Sequence, residues 1–173
     1  MLEIGKIEKQ WAEDAQSAVD AVKKAEKELL PVESSADELL YKTNLGAFEV
    51  NIRYRFTDNR LTFARYEFTD LYRDTSVYND IYNTLQSQLS RKYGPAADST
   101  LNCKDDFYRL HPNRWGTGIV VGKLTRESSW NLPKSKLRHS IASLPGGRVA
   151  HWVEYMPATE ISQTAATELL GSL

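Results

Sequence analysis

The sequence has little cysteine and little histidine: among 173 residues there are one Cys, Cys103, and three His. A lone thiol forms no internal disulfide; it is typical of a cytosolic protein and compatible with an exported one. No two histidines stand four residues apart, which excludes the paired histidines of a zincin-type helix. The fold must therefore be stabilised by its apolar core.

Excess charge of one sign and long apolar runs are missing as well. Lys and Arg total 22 against 23 Asp and Glu, and this balance argues against a nucleic-acid-binding protein, which needs a clustered basic excess. No run of about 18 apolar residues is present, so we expect no transmembrane segment. The first residues show no leader pattern. We expect a periplasmic or cell-envelope protein if a leader was removed, and otherwise a cytoplasmic one.

The length and composition fit one globular domain. Hydrophobic residues make up 41% of the chain and charged residues 26%, both ordinary for such a protein. A domain of this size buries about 70% of its unfolded surface and needs no metal for stability. We predict a single domain over residues 1–173, with its core at about 11–157 and a C-terminal helix at 159–171.

Alternating residues predict a long half-buried strand. Its apolar positions are Phe48, Val50, Ile52, Tyr54 and Phe56. A turn at 57–60 leads to a second strand, 61–68, in which the alternation slips near Phe63 and Ala64. The slip indicates either a bulge or a strand that is covered on both faces.

Helical periodicity predicts helices at 12–30 and 76–93, besides the one at the C-terminus. Pro31 ends the first, whereas Gly94 and Pro95 end the second, for which Ser76 is the predicted N-cap. Shorter strands are predicted at 39–43, 101–103, 107–110 and 118–125, with a loop at 128–134. A hairpin joins strands 136–144 and 148–156 through Pro145-Gly146-Gly147. The order α-βββ-α-ββ(β)β-α predicts an α+β fold with an antiparallel sheet packed by helices.

Several short motifs resemble those of a group of small, often exported bacterial proteins with no characterised activity. They are Val22-Lys23-Lys24-Ala25-Glu26, Leu40-Tyr41, Tyr54-Arg55-Phe56, Asn59-Arg60-Leu61, Tyr66-Glu67-Phe68, Lys92-Tyr93-Gly94-Pro95, Asp105-Asp106, Arg114-Trp115-Gly116, Gly122, Trp130 and Tyr155. The resemblance implies a single domain and a cell-envelope location. It implies no catalytic or binding residue.

Two histidines, His139 and His151, lie on the two strands of the last hairpin. A three-residue loop places them on one face, and a two-residue loop places them on opposite faces. A metal site would need a third ligand, which the pattern does not supply. We favour a structural role for both histidines and predict no metal and no cofactor.

The remaining polar motifs give no catalytic set. Cys103 precedes Lys104 and two acids, and a Cys-His nucleophile pair with His111 would need an orienting third group. The segment 116–118, Gly-Thr-Gly, lacks the further Gly and the Lys of a phosphate-binding loop. We therefore predict no catalytic residues and no enzymatic activity, with a Cys/His hydrolase as the least favoured alternative.

Aromatic residues are the unusual feature, with nine Tyr and four Trp. Trp115 and Trp130 lie beside predicted loops and are the candidate binding residues, because recognition surfaces are enriched in such side chains. Tyr82 and Tyr93 are assigned to the core. We predict a non-enzymatic binding or accessory protein of the bacterial cell envelope, whose partner is an unknown protein or small ligand. The alternative is a cytoplasmic chaperone or adaptor, since the element order resembles type III secretion chaperones.

Overall fold

The computed structural model describes residues 31–35, 37–58 and 60–158. The predicted helices at 12–30 and 159–171 lie outside these residues. The described strands are β1 (Pro31–Ser34), β2 (Glu38–Leu45), β3 (Phe48–Thr57), β4 (Arg60–Phe68), β5 (Asp98–Cys103), β6 (Leu124–Asn131), β7 (Ser135–Leu144) and β8 (Arg148–Pro157). They form one antiparallel sheet in the order β1-β2-β3-β4-β8-β7-β6-β5.

The described helices follow β4 and β5. They are α1 (Ser76–Tyr93), α2 (Asp106–Leu110), a 3-10 helix (Pro112–Arg114) and α3 (Trp115–Val120). None of these helices is long and apolar enough to cross a membrane. Sheet and helices together confirm the α+β class. The predicted element order is not confirmed, because α2, the 3-10 helix and α3 lie between β5 and β6.

The chain divides into two compact units. Of the described residues, the first unit contains those within 31–67, 131–137 and 154–158. The second contains residues 68–130 and 138–153.

In the first unit, β3 pairs with β2, and Ile52 lies opposite Tyr41. The predicted alternation is confirmed by burial: Val50, Ile52, Tyr54 and Phe56 are buried, while Phe48 is half-buried. The polar residues between them are half-buried or exposed. The hydrophobic pattern thus sets which side of β3 is buried.

Charged side chains in the same unit form a connected network. Arg53 is paired with Glu38 and Glu67, and Arg65 is paired with Glu67 and Glu154. The buried Glu154 accepts from Nη2 of Arg65 at 2.7 Å, so this buried charge is compensated. Each charged group of this network has an oppositely charged partner, so we interpret the network as structural.

In the second unit, α1 buries Tyr78, Tyr82, Leu85 and Leu89, as its periodicity predicts. Tyr78 and Tyr82 belong to a core cluster that also contains Ile119, Leu124 and Ile141. The helix ends at Gly94, whose φ of 83° is in the left-handed region that glycine adopts without strain.

The N-cap of α1 is Thr75, one residue before the predicted Ser76, and its side chain makes no capping hydrogen bond. Oδ1 of Asp74 accepts from the backbone N–H of Ser76 at 3.0 Å, so Asp74 binds the first turn. A carboxylate there is also favoured by the helix dipole.

Three predictions between α1 and the last hairpin are wrong. Residues 107–110 form α2, because Oδ1 of Asp105 accepts from the Phe107 N–H and caps a helix. Residues 118–125, predicted as one strand, contain the end of α3 and the start of β6. The predicted loop at 128–134 is largely strand, since β6 extends to Asn131.

Gly116 lies at a close contact between α3 and the segment before α1. A Cβ at this position would lie 2.1 Å from the backbone oxygen of Thr75, closer than any side chain tolerates. The adjacent Thr117 Oγ1 lies 2.8 Å from Thr75 Oγ1. Glycine therefore allows α3 to pack directly on the backbone that precedes α1.

Candidate functional site

The candidate site lies in the second unit and is built on one face of α1. Four residues of α1 share this face, because three of them, Tyr82, Asn83 and Gln86, lie three, four and seven positions after the first, Asn79. Each contacts a polar residue of β6 or β7. The face thus carries a row of polar contacts beside the apolar stripe.

Arg126 of β6 is held by three of these residues and by Trp115 of α3. Its Nη1 donates to Oδ1 of Asn79 and to Oδ1 of Asn83, both at 2.7 Å. Its guanidinium carbon lies 4.2 Å from the ring centroid of Tyr82 and 5.2 Å from that of Trp115. Two amide oxygens and two ring faces therefore fix the orientation of one guanidinium.

The charge of Arg126 has no carboxylate partner among the described residues. The ion pairs of this unit join Arg109 to Asp106 and Arg138 to Glu127 instead. Arg126 is half-buried, and this burial lowers the pKa of its guanidinium. The group remains charged near neutral pH, since an arginine is not deprotonated in proteins. As far as the structure describes the chain, the site therefore carries one oriented positive charge that no carboxylate compensates.

Tyr82 connects Arg126 to the interior. Its ring stacks on His139 with a centroid distance of 4.0 Å and an interplanar angle of 12°. Its hydroxyl lies 3.4 Å from Oγ of Ser128, which is 2.9 Å from Oγ of Ser99. Burial raises the pKa of Tyr82, so the phenol stays neutral.

The two histidines of the hairpin meet beneath Tyr82. The predicted three-residue loop is confirmed, since β7 ends at Leu144 and β8 begins at Arg148. The Nε2 atoms of His139 and His151 lie 2.8 Å apart, and both side chains are buried. Of the two placements left open by the sequence, the two histidines therefore have the one on a common face.

Both histidines are neutral bases in this environment. Burial, His151 and the positive charge of Arg126 hold the pKa of His139 well below its ordinary value. Burial lowers the pKa of His151 to about 3. The described part of the chain contains no group of three His, Cys, Asp or Glu side chains that could bind a metal ion. The pair is a hydrogen-bonded element of the interior.

The two predicted binding residues differ in position. Trp115 is half-buried, contacts Arg126 and donates from its indole Nε1 to the backbone oxygen of Tyr108 at 2.9 Å. Trp130 is 2% exposed and donates to the backbone oxygen of Gly94. Trp115 therefore belongs to the candidate site, whereas Trp130 is part of the core.

The alternative nucleophile pair is not joined by any contact among the described residues. Sγ of Cys103 donates to the backbone oxygen of Asp105 at 3.0 Å. Nδ1 of His111 lies 2.7 Å from the backbone oxygen of Phe107, and its ring stacks on that of Phe107. Each side chain thus contacts its own segment of chain.

Sequence reasoning missed Arg126, because its partners are distant in the chain. The available signal was the spacing of Asn79, Asn83 and Gln86, three amide side chains at steps of four and three on an otherwise amphipathic helix. Compared with protein-family models, with curated proteins and with solved structures, the chain matches none of them. The geometry of the site is therefore the main guide to function.

Proposed function

We propose that this chain is a non-enzymatic binding or accessory protein whose ligand site surrounds Arg126 and Trp115. The proposal is supported by the surroundings of the Arg126 guanidinium. It is half-buried, oriented by two amides and two aromatic rings, and has no carboxylate partner among the described residues.

The contacts of Arg126 offset the cost of its partial burial and keep its charge in one orientation. Removing a charge from water without a counter-ion costs several kcal/mol in real proteins. Hydrogen bonds to the charged group contribute about 1.5–3 kcal/mol each, and ring contacts about 0.5–2 kcal/mol. An apolar side chain would fill such a position at no electrostatic cost. Arginine, tyrosine and tryptophan together are also the residues most enriched in binding hot spots.

The experiment that tests this proposal is a ligand screen with a matched pair of variants. The compounds comprise small carboxylates, phosphates, amines, neutral sugars and short unstructured peptides, and binding is measured as a saturable rise in thermal midpoint. Trp115→Ala removes the aromatic surface beside Arg126. Phe107→Ala removes an exposed aromatic of α2, a side chain 50% exposed that has no contact with Arg126.

The proposal predicts that at least one class binds the wild type and Phe107→Ala equally and binds Trp115→Ala much more weakly. It is wrong if no class binds saturably, or if Trp115→Ala binds as well as Phe107→Ala. Binding of unstructured peptides alone, without regard to their charge, would favour the chaperone interpretation instead.

A location in the bacterial cell envelope is part of this proposal and is supported by the motif resemblance alone. Fractionation of cells that express the natural gene tests it. Recovery with the periplasm or the membranes is the expected result. Recovery with the cytoplasm would remove the location from the proposal and leave the ligand site unaffected.

A further inference from the structure

We propose that Arg126 binds the carboxylate group of a ligand whose attached body is aromatic or apolar. This inference rests on the proposed function and names the class of ligand. Three features of the site indicate this class: the donors that the guanidinium still has, the number of charges at the site and the surface beside it.

The donors of Arg126 are divided into two sets. Both hydrogens of Nη1 are taken up by Oδ1 of Asn79 and Oδ1 of Asn83. Nε and Nη2 have no partner among the described residues, and they reach solvent, since the only fully buried unpartnered side-chain atom of that part of the chain is Oε1 of Gln88. The Nε–H and one Nη2–H of a guanidinium point in the same direction, in its plane. This edge matches the two oxygens of a carboxylate.

The charge at the site matches one carboxylate. Arg126 supplies the single positive charge, and its fixed partners are neutral amides, a phenol and an indole. One bidentate arginine neutralises a monoanionic carboxylate, whereas it leaves one negative charge of a phosphate dianion uncompensated.

The neighbouring acid does not occupy this edge. Glu127 follows Arg126 on β6, and successive side chains of a strand point to opposite faces. Its carboxylate lies 3.8 Å from Nε of Arg138, and its side chain is 47% exposed. The nearest acid along the strand is therefore committed to another arginine.

The surface beside the guanidinium is aromatic. Trp115 is half-buried, its ring centroid lies 5.2 Å from the guanidinium carbon of Arg126, and its indole N–H is already bonded to the backbone oxygen of Tyr108. A ligand whose body contacts this ring gains binding free energy from the burial of apolar surface. The indole offers it no free polar group. The ligand class is therefore a carboxylate on an aromatic or apolar body.

Four small probes separate these features: benzoate, benzamide, phenylphosphonate and acetate, with affinity measured by calorimetry at low ionic strength. Benzamide has the shape of benzoate without its charge, phenylphosphonate replaces the carboxylate, and acetate lacks the body. We expect benzoate to bind at least tenfold more tightly than each of the other three.

Two variants test the role of Arg126, and each has a control at Arg138. Arg126→Lys keeps the charge and loses the two-pronged edge. Asn83→Asp keeps an oxygen against Nη1 and adds a negative charge that competes with the ligand. Asn83→Asp also preserves the contacts of the folded site, so it stays informative if Arg126→Lys does not fold. Arg138→Lys makes the same substitution as Arg126→Lys at an arginine outside the site. Arg138→Gln lowers the net charge by one, as Asn83→Asp does.

We expect both site variants to weaken benzoate binding at least tenfold and both controls to change it less than twofold. The inference is overturned if benzamide or phenylphosphonate binds as tightly as benzoate, or if Asn83→Asp binds benzoate like the wild type. It is also overturned if benzoate does not bind while a neutral compound binds in a manner that depends on Trp115. That result would leave the proposed function standing, whereas the absence of binding by any class would remove both.

Discussion

The Nε2 atoms of His139 and His151 lie 2.8 Å apart, and one hydrogen bond joins the two buried rings. Oε1 of Gln86 lies 2.9 Å from Nδ1 of His139. A carboxamide oxygen only accepts, so Nδ1 of His139 carries a proton and its Nε2 accepts from the Nε2–H of His151. Both of these hydrogen bonds are therefore made by the neutral rings, and protonation must oppose burial.

The first prediction concerns the pH dependence of stability. The pKa of both histidines is lowered in the folded state, so the unfolded chain binds more protons and stability rises with pH. The contribution is complete above about pH 6.5 and is lost as the pH falls below this value. With two protons involved, the free energy of unfolding falls by up to about 2.7 kcal/mol per pH unit in that range.

Urea midpoints at about pH 5 and pH 8 measure this loss. The wild type should lose more stability on acidification than the double variant His139→Gln/His151→Gln. The control His111→Gln, at an exposed histidine, should behave like the wild type. If the wild type loses no more than the double variant does, the two histidines do not titrate as buried bases.

A second prediction uses Gln86 to reverse part of this effect. Gln86→Glu places a carboxylate against Nδ1 of His139, which favours the imidazolium and raises the pKa of the pair. Fewer protons are then taken up on unfolding, so the stability difference between pH 8 and pH 5 shrinks. Ser87→Glu adds the same charge at an exposed position of the same helix and should leave the difference unchanged. Equal slopes for the two variants would contradict the contact.

A third prediction concerns the packing of α3. Gly116→Ala forces a Cβ against the backbone of Thr75, and neither segment moves easily. Because overpacking typically costs about 1–3 kcal/mol, we expect a loss near the upper end of that range. Thr117→Val removes only the neighbouring hydroxyl contact and should cost about 0.5–1.5 kcal/mol. Chemical denaturation that ranks the two variants in the opposite order would contradict this packing.

A fourth prediction concerns Cys103. Its Sγ donates to the backbone oxygen of Asp105, and a serine hydroxyl makes the same bond. Cys103→Ser should therefore change the free energy of unfolding by less than about 0.5 kcal/mol and leave ligand affinity unaltered. Rapid, selective labelling of this thiol at neutral pH, together with loss of a measurable hydrolytic activity, would restore the hydrolase alternative.

Elements with a long periodic pattern were predictable from the sequence. The alternation of β3 and the stripe of α1 each extend over several repeats, and burial follows both. The turn Pro145-Gly146-Gly147 likewise fixed the phase of the hairpin and with it the meeting of His139 and His151. Local patterns sufficed because each element has one apolar side.

Short elements were not predictable, for a physical reason. Residues 107–110 span about one helical turn, so their periodicity carries almost no information, and the cap from Asp105 decides the conformation. The apolar run Ile119-Val120-Val121 favours a strand locally, yet α3 extends to Val120 and packs closely on the backbone of Thr75 through Gly116, a contact distant in sequence. Arg126 depends on contacts with residues 43 to 47 positions away, and no local pattern reveals these.

The central claim is that the Nε–Nη2 edge of Arg126 receives a carboxylate. The most direct measurement is a proton–nitrogen correlation spectrum of the arginine Nε–H groups during titration with benzoate. We predict that one resonance, absent from the spectrum of Arg126→Lys, shifts downfield in its proton dimension and saturates. The claim is contradicted if that resonance does not move, or if the resonance that moves is still present in Arg126→Lys.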